Sequence, residues 1–140
     1  MKKLLTSTCA LLIVVLPLLC FVSCNEAEKD LWADAKYTEN VTLGDGATTV
    51  TVDVIAGDRT VTFTVNTDKT TVGAALAEHG LLEGEDSEFG LYVKKVNGIE
   101  ADYDKDQYYW AFYINGEYAM TGVDTTEIVG GNIYRLVRTK

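Results

Sequence analysis

Three carboxylates at alternate positions, Asp102, Asp104 and Asp106, match the first three ligand places of a calcium-binding loop. The rest of that motif is missing: Gln107 stands where the tight turn takes glycine, and Tyr113 stands where a bidentate glutamate closes the shell. A solvated acidic hairpin connection is the simpler reading, and no metal is expected. A second carboxylate group, Glu83, Glu85, Asp86 and Glu88, has the residue type for general acid and base work, but nothing in its spacing sets two carboxylates across a cleft. The one histidine, His79, falls at an expected helix end, where it complements the helix dipole. Cys9, Cys20 and Cys24 all lie in or at the end of an apolar leader, so thiolate nucleophiles, disulfides and cysteine zinc sites are excluded from the folded part. No phosphate-cradling glycine loop or zinc-protease motif occurs. No catalytic residue and no cofactor are expected.

The chemistry that remains is recognition. Tyr103, Tyr108, Tyr109, Trp110, Phe112, Tyr113 and Tyr118 crowd into one short stretch. If the middle of it is a strand, Tyr108, Trp110, Phe112 and Ile114 share one face, and Tyr109, Ala111 and Tyr113 share the other. Only one face can meet a covering helix. Trp110 and Phe112 are then core residues or ligand contacts. Tyr92, Tyr109 and Tyr113 lie on the open face, as cross-strand packing pairs or as a platform for a flat apolar ligand or a partner.

The elements that must position these rings are legible in the hydrophobic period. Val50, Val52 and Val54 alternate with Thr49, Thr51 and Asp53; after Gly57-Asp58, Val61, Phe63 and Val65 alternate with Thr60, Thr62 and Thr64. Two half-buried strands joined by a tight turn form an antiparallel hairpin. Val72, Ala75, Leu76 and His79 fall at helical spacing, with Thr70 or Thr71 as N-cap and Gly80 as the stop. An acidic loop follows from Glu83 to Glu88. Asn97-Gly98 and Asn115-Gly116 mark two more hairpins, and Gly130-Gly131 leads into a closing strand over 133–137. This order predicts an α+β domain of the β-grasp pattern, in which one short helix covers a mixed or antiparallel sheet of about five or six strands.

Ahead of the domain, Met1-Lys2-Lys3 and the apolar run from Cys9 to Val22 form a targeting segment, shorter than the about 20 apolar residues of a membrane span. Phe21-Val22-Ser23-Cys24 resembles a bacterial lipobox, which makes Cys24 the expected lipidation site, set against an uncleaved anchor or a soluble secreted product. The expected organisation is a lipoprotein signal peptide over 1–23, an acidic flexible tether over 24–46 and one folded domain over 47–140. The anchored domain would face outside the cytoplasm. With 12 basic and 21 acidic residues among 140, the chain has a net charge of −9, which excludes nucleic acid as a partner.

The stretches Phe89-Gly-Leu-Tyr-Val-Lys-Lys-Val-Asn-Gly-Ile-Glu-Ala-Asp-Tyr, Tyr109-Trp-Ala-Phe-Tyr-Ile-Asn-Gly-Glu-Tyr-Ala and Gly122-Val-Asp resemble the transcobalamin-like C-terminal domain family, over roughly residues 61–137. The resemblance implies a β-grasp domain of the soluble-ligand-binding type, which in the vitamin B12 carriers of animals covers one side of the corrinoid. It places Gly90, Tyr92, Tyr109, Trp110 and Phe112 at or near the ligand-facing edge. The chain lacks the helical barrel that forms the other half of the carriers' site, so the resemblance implies that cobalamin or a related corrinoid binds weakly or with the help of a partner. The competing expectation is a module that presents its sheet to an envelope protein or an extracellular polymer and takes no small ligand.

Overall fold

The alternating valines and threonines form the hairpin expected of them. Strand β2 (Thr48–Ala56) pairs with β3 (Arg59–Thr67) across Gly57, whose φ of +63° suits a residue without a Cβ. The computed structural model describes residues 30–140. The expected signal peptide, the lipidation site Cys24 and the first residues of the expected tether lie outside the described residues.

Short strand β1 (Val41–Leu43) lies parallel to β3, while the closing strand β9 (Ile133–Thr139) inserts parallel beside β2. β7 (Tyr109–Ile114) runs antiparallel to β9, and β8 (Glu117–Tyr118) turns back from it over Asn115-Gly116. Among the described residues these make a six-stranded mixed sheet in the order β1-β3-β2-β9-β7-β8. A separate three-stranded antiparallel sheet holds β4 (Leu82–Ser87), β5 (Gly90–Val96) and β6 (Ile99–Glu100). The molecule is therefore mostly β with a mixed main sheet. The rings of β7 and of β5, expected on one sheet, are divided between two.

One face of the main sheet is the core. Val50, Val52 and Val54 of β2, Val61, Phe63 and Val65 of β3, Tyr134 and Leu136 of β9, and Trp110 and Phe112 of β7 are all buried. Helix α1 (Val72–Glu78) packs Val72, Ala75 and Leu76 into that core. Its start is set by Thr71, whose hydroxyl accepts the Ala74 N–H at 3.2 Å, and its end by Gly80 at φ +65°.

Three local expectations need correction. Most of the acidic stretch, Glu83 to Ser87, is a strand rather than a loop: its backbone is laddered to β5, with Glu85 and Glu83 paired to Lys94 and Lys95 at 3.1 and 3.6 Å, and the ladder outweighs poor strand propensity, while Glu88 lies in the turn that follows. The connection around Asp104 contains one helical turn, α2 (Tyr103–Asp106), capped by the Asp102 carboxylate, which accepts the Asp104 N–H at 3.1 Å. Residues 30–46, expected as flexible tether, are packed on the domain. Trp32 is buried in the core, donates its indole N–H to the Ala56 carbonyl at 3.0 Å and lies under the Arg59 guanidinium. Tyr37 sets its ring edge-on to Phe63, and its backbone N–H and C=O both bond to the Asn97 side chain. Two large rings outweigh the polar composition around them.

Candidate functional site

Because the β7 rings alternate, Trp110 and Phe112 point to the core side of the main sheet, each only 7% exposed. Phe112 stacks on Tyr134 of β9 with ring centroids 6.0 Å apart, which fixes the floor beneath it. Across from them stands the second sheet, contributing Leu91, Tyr92 and Val93 of β5. The segment from Tyr118 to Val123 closes the third side. Between these walls is a cleft of about 220 Å³, at the place where the two sheets meet without pairing.

Four of the five residues expected at a ligand-facing edge, Tyr92, Tyr109, Trp110 and Phe112, line this cleft. The fifth, Gly90, does something else. At φ +101° it gives room to Asp124, whose carboxylate accepts the Leu91 N–H at 3.1 Å. A Cβ at Gly90 or at Gly122 would stand within 2.9 Å of the other carboxylate oxygen, so both glycines are needed to seat this side chain against the wall. That oxygen, Oδ1, is buried without a partner, and so is the Trp110 indole N–H. An unpaired donor and an unpaired acceptor in or beside one small cleft are costly to leave unbonded, by about 1–3 kcal/mol each. Neither Asp124 nor the wall from Ala119 to Val123 is marked as a site by any spacing or residue type in the sequence. The nearest signal was the Gly122-Val123-Asp124 stretch.

The expected tyrosine platform is split. Tyr109 and Tyr113 alternate onto the open face of the main sheet, but Tyr109 also borders the cleft, and Tyr92 belongs to the second sheet and sits at the cleft mouth, 40% exposed. Tyr113 lies outside the cleft and meets Tyr118 edge-on at 5.6 Å.

The carboxylates are engaged elsewhere. Asp106 binds Arg138 at 2.9 Å and accepts the Tyr108 N–H, while Asp102 caps α2 and lies 3.7 Å from the Lys94 ammonium. Among the described residues no three His, Cys, Asp or Glu side chains converge as a metal-holding group. The Lys94 pKa is raised, chiefly by its hydrogen bond to Glu85; desolvation opposes this, and the charges of Asp102, Glu85 and Asp104 add to the rise. A depression of about 300 Å³ beside Asp30, Lys95, Glu100, Asp106 and Arg138 is larger than the cleft, but its Asp106–Arg138 charges already satisfy each other. His79 closes α1 through its backbone N–H, and its ring Nε2 is buried without a partner.

Fold and site together define a small, mostly β domain with an aromatic cleft between two sheets. Residues 69–132 match the family model of the domain of unknown function DUF4430. The crystal structure of a proposed metal-binding protein from Ruminococcus gnavus ATCC 29149 is similar with a TM-score of 0.63 and 32% identity, over 67% of this chain and 98% of that one. Haptocorrin in complex with Cbi is similar with a TM-score of 0.54 and 16% identity, over 70% of this chain and 27% of haptocorrin, a likeness of fold alone. No curated protein matches the chain. Residues 69–132 thus carry a DUF4430 domain, which is consistent with the transcobalamin-like C-terminal domain family that the chain's motifs resemble.

Proposed function

We propose that this protein is a non-catalytic binding lipoprotein, held outside the cytoplasm by a lipid on Cys24, whose domain is of the β-grasp type and takes one edge of a flat ligand in the cleft between β5 and β7. Cobalamin or a related corrinoid is the leading ligand. The observation that carries the reading is the Trp110 side chain, which lines the cleft with its buried indole N–H unpartnered. Haptocorrin, similar in fold, is described in complex with Cbi, which supports the ligand class.

The cleft's size decides how such a ligand is held. At about 220 Å³ it is smaller than the roughly 300–1,000 Å³ of sites that bury most of a drug-sized ligand. It grips an edge and leaves the rest to solvent or to a second wall from a partner. Titrating the full chain in detergent with cobinamide and cobalamin, read by tryptophan fluorescence and calorimetry, tests this. Binding in the high micromolar range, weakened by Trp110→Phe, is expected; no heat and no spectral change up to millimolar ligand would reject a self-sufficient site. Palmitate labelling that persists in Cys24→Ser would reject the anchor.

A further inference from the structure

The polar side-chain atoms around the cleft between β5 and β7 are few enough to take one by one. The hydroxyls of Tyr92, Tyr109 and Tyr118 sit on exposed or half-buried rings at its mouth and border. The Thr121 hydroxyl is already bonded to that of Thr126, at 2.7 Å. What remains among apolar walls is the Trp110 indole N–H, on a side chain only 7% exposed and without a partner. The other indole differs: Trp32 donates to the Ala56 carbonyl at 3.0 Å. An indole N–H donates and cannot accept, so the group that satisfies Trp110 must bring an acceptor. An ammonium cannot do so, and neither can a hydrocarbon edge.

Asp124 restricts that acceptor further. Its Oδ2 accepts the N–H of Leu91, a residue of the cleft wall, at 3.1 Å. Its Oδ1 lies 2.8 Å from the point that a Cβ on Gly122, another lining residue, would occupy. With glycine at 122, the carboxylate takes the place of a side chain in the wall. Asp124 forms no ion pair among the described residues, and Oδ1 is buried without a partner. An anionic group brought into the cleft would meet this charge at short range, where little water screens it. An N–H donor would be drawn to it instead.

We infer that the cleft selects a flat ligand whose inserted edge carries a neutral primary carboxamide, its carbonyl accepting from the Trp110 Nε1–H and its N–H donating to the Asp124 Oδ1. This rests on the reading of the cleft as the ligand site, and names the group that the site recognises. Trp110 belongs to β7, while Asp124 is held against β5, so donor and acceptor come from different walls. A hydroxyl would have to serve both from one atom; an amide carries acceptor and donor on two. Both protein atoms are shielded from water, so a ligand that reaches them supplies bonds that solvent does not.

The test follows the two indole N–H resonances of the isotope-labelled full chain in detergent, titrated with benzamide, benzoate, benzylamine and benzyl alcohol. Trp110→Phe assigns the cleft resonance, and the Trp32 resonance reports an intact fold. Benzamide should move the Trp110 resonance with an affinity about tenfold or more above the other three. Asp124→Asn keeps an acceptor for the Leu91 N–H and sets a donor in place of Oδ1. It should reverse the order, strengthening benzoate about tenfold and weakening benzamide. Any of the other three probes matching benzamide overturns the inference, as does an order unchanged in Asp124→Asn. Cobinamide or cobalamin moving the Trp110 resonance where benzamide does not discards the amide and leaves the ligand site standing. A Trp110 resonance unmoved by every one of these compounds rejects site and amide together.

Discussion

At the scale of single residues, several side chains hold two roles at once. Asn97 occupies the left-handed turn between β5 and β6 with φ 52°, and from there its buried amide clamps Tyr37 by two hydrogen bonds, at 3.0 and 2.8 Å. Asn97→Gly keeps the turn's backbone freedom and removes the clamp. We expect a loss of about 1–3 kcal/mol in urea unfolding, and a loss near zero would mean the clamp is idle. Trp32 anchors the same segment; Trp32→Ala removes a buried ring and a hydrogen bond and should cost about 3–5 kcal/mol. Lys94 gives a pH dependence with a definite sign. Its folded pKa is raised above the ordinary value of 10.5, so its contribution to stability is fully present below that value and is lost as pH climbs through the folded pKa. Stability curves should therefore fall above about pH 10.5, and Lys94→Met should flatten that limb.

At the scale of elements, the fit of α1 against the segment before β9 decides the fold's stiffness beside the cleft. Gly73, inside the helix, donates its N–H to the Val123 carbonyl at 2.8 Å. Alanine is favoured over glycine within a helix by about 1 kcal/mol, but a Cβ here would stand 2.9 Å from the Asp124 Cα and 3.0 Å from its nitrogen. Backbone cannot yield as a flexible side chain can. Gly73→Ala should therefore destabilise, and should shift the segment that seats Asp124, seen as lower thermal stability with weakened ligand binding. A stabilised variant would show that the helix and this segment are not in firm contact. β4 teaches the complementary lesson, since a run rich in Glu, Gly and Asp becomes a strand where β5 offers it a backbone ladder, with lysines opposite two of its glutamates.

At the scale of the whole molecule, the segment before the hairpin is part of the domain. β1 extends the main sheet at its edge, and Trp32 and Tyr37 pack against buried residues of β2, β3 and the β5–β6 turn. A chain beginning at residue 47 should be markedly less stable than one beginning at residue 30, with earlier melting and stronger binding of a hydrophobic dye. Equal melting of the two would restore the tether reading.

The sequence alone determined the β2–β3 hairpin, the helix with a threonine cap at 70 or 71, the Asn-Gly turns, and the partition of Trp110 and Phe112 from Tyr109 and Tyr113. All of these follow from local backbone preference and from the two-residue or 3.6-residue period, which need no knowledge of distant partners. Only the tertiary structure decided that β5 and β7 belong to different sheets, that Asp124 sits behind Gly90, and that Trp32 and Tyr37 fold onto the domain. Those outcomes depend on which remote surfaces meet, and a lone ring in a polar stretch carries no period from which its burial can be read.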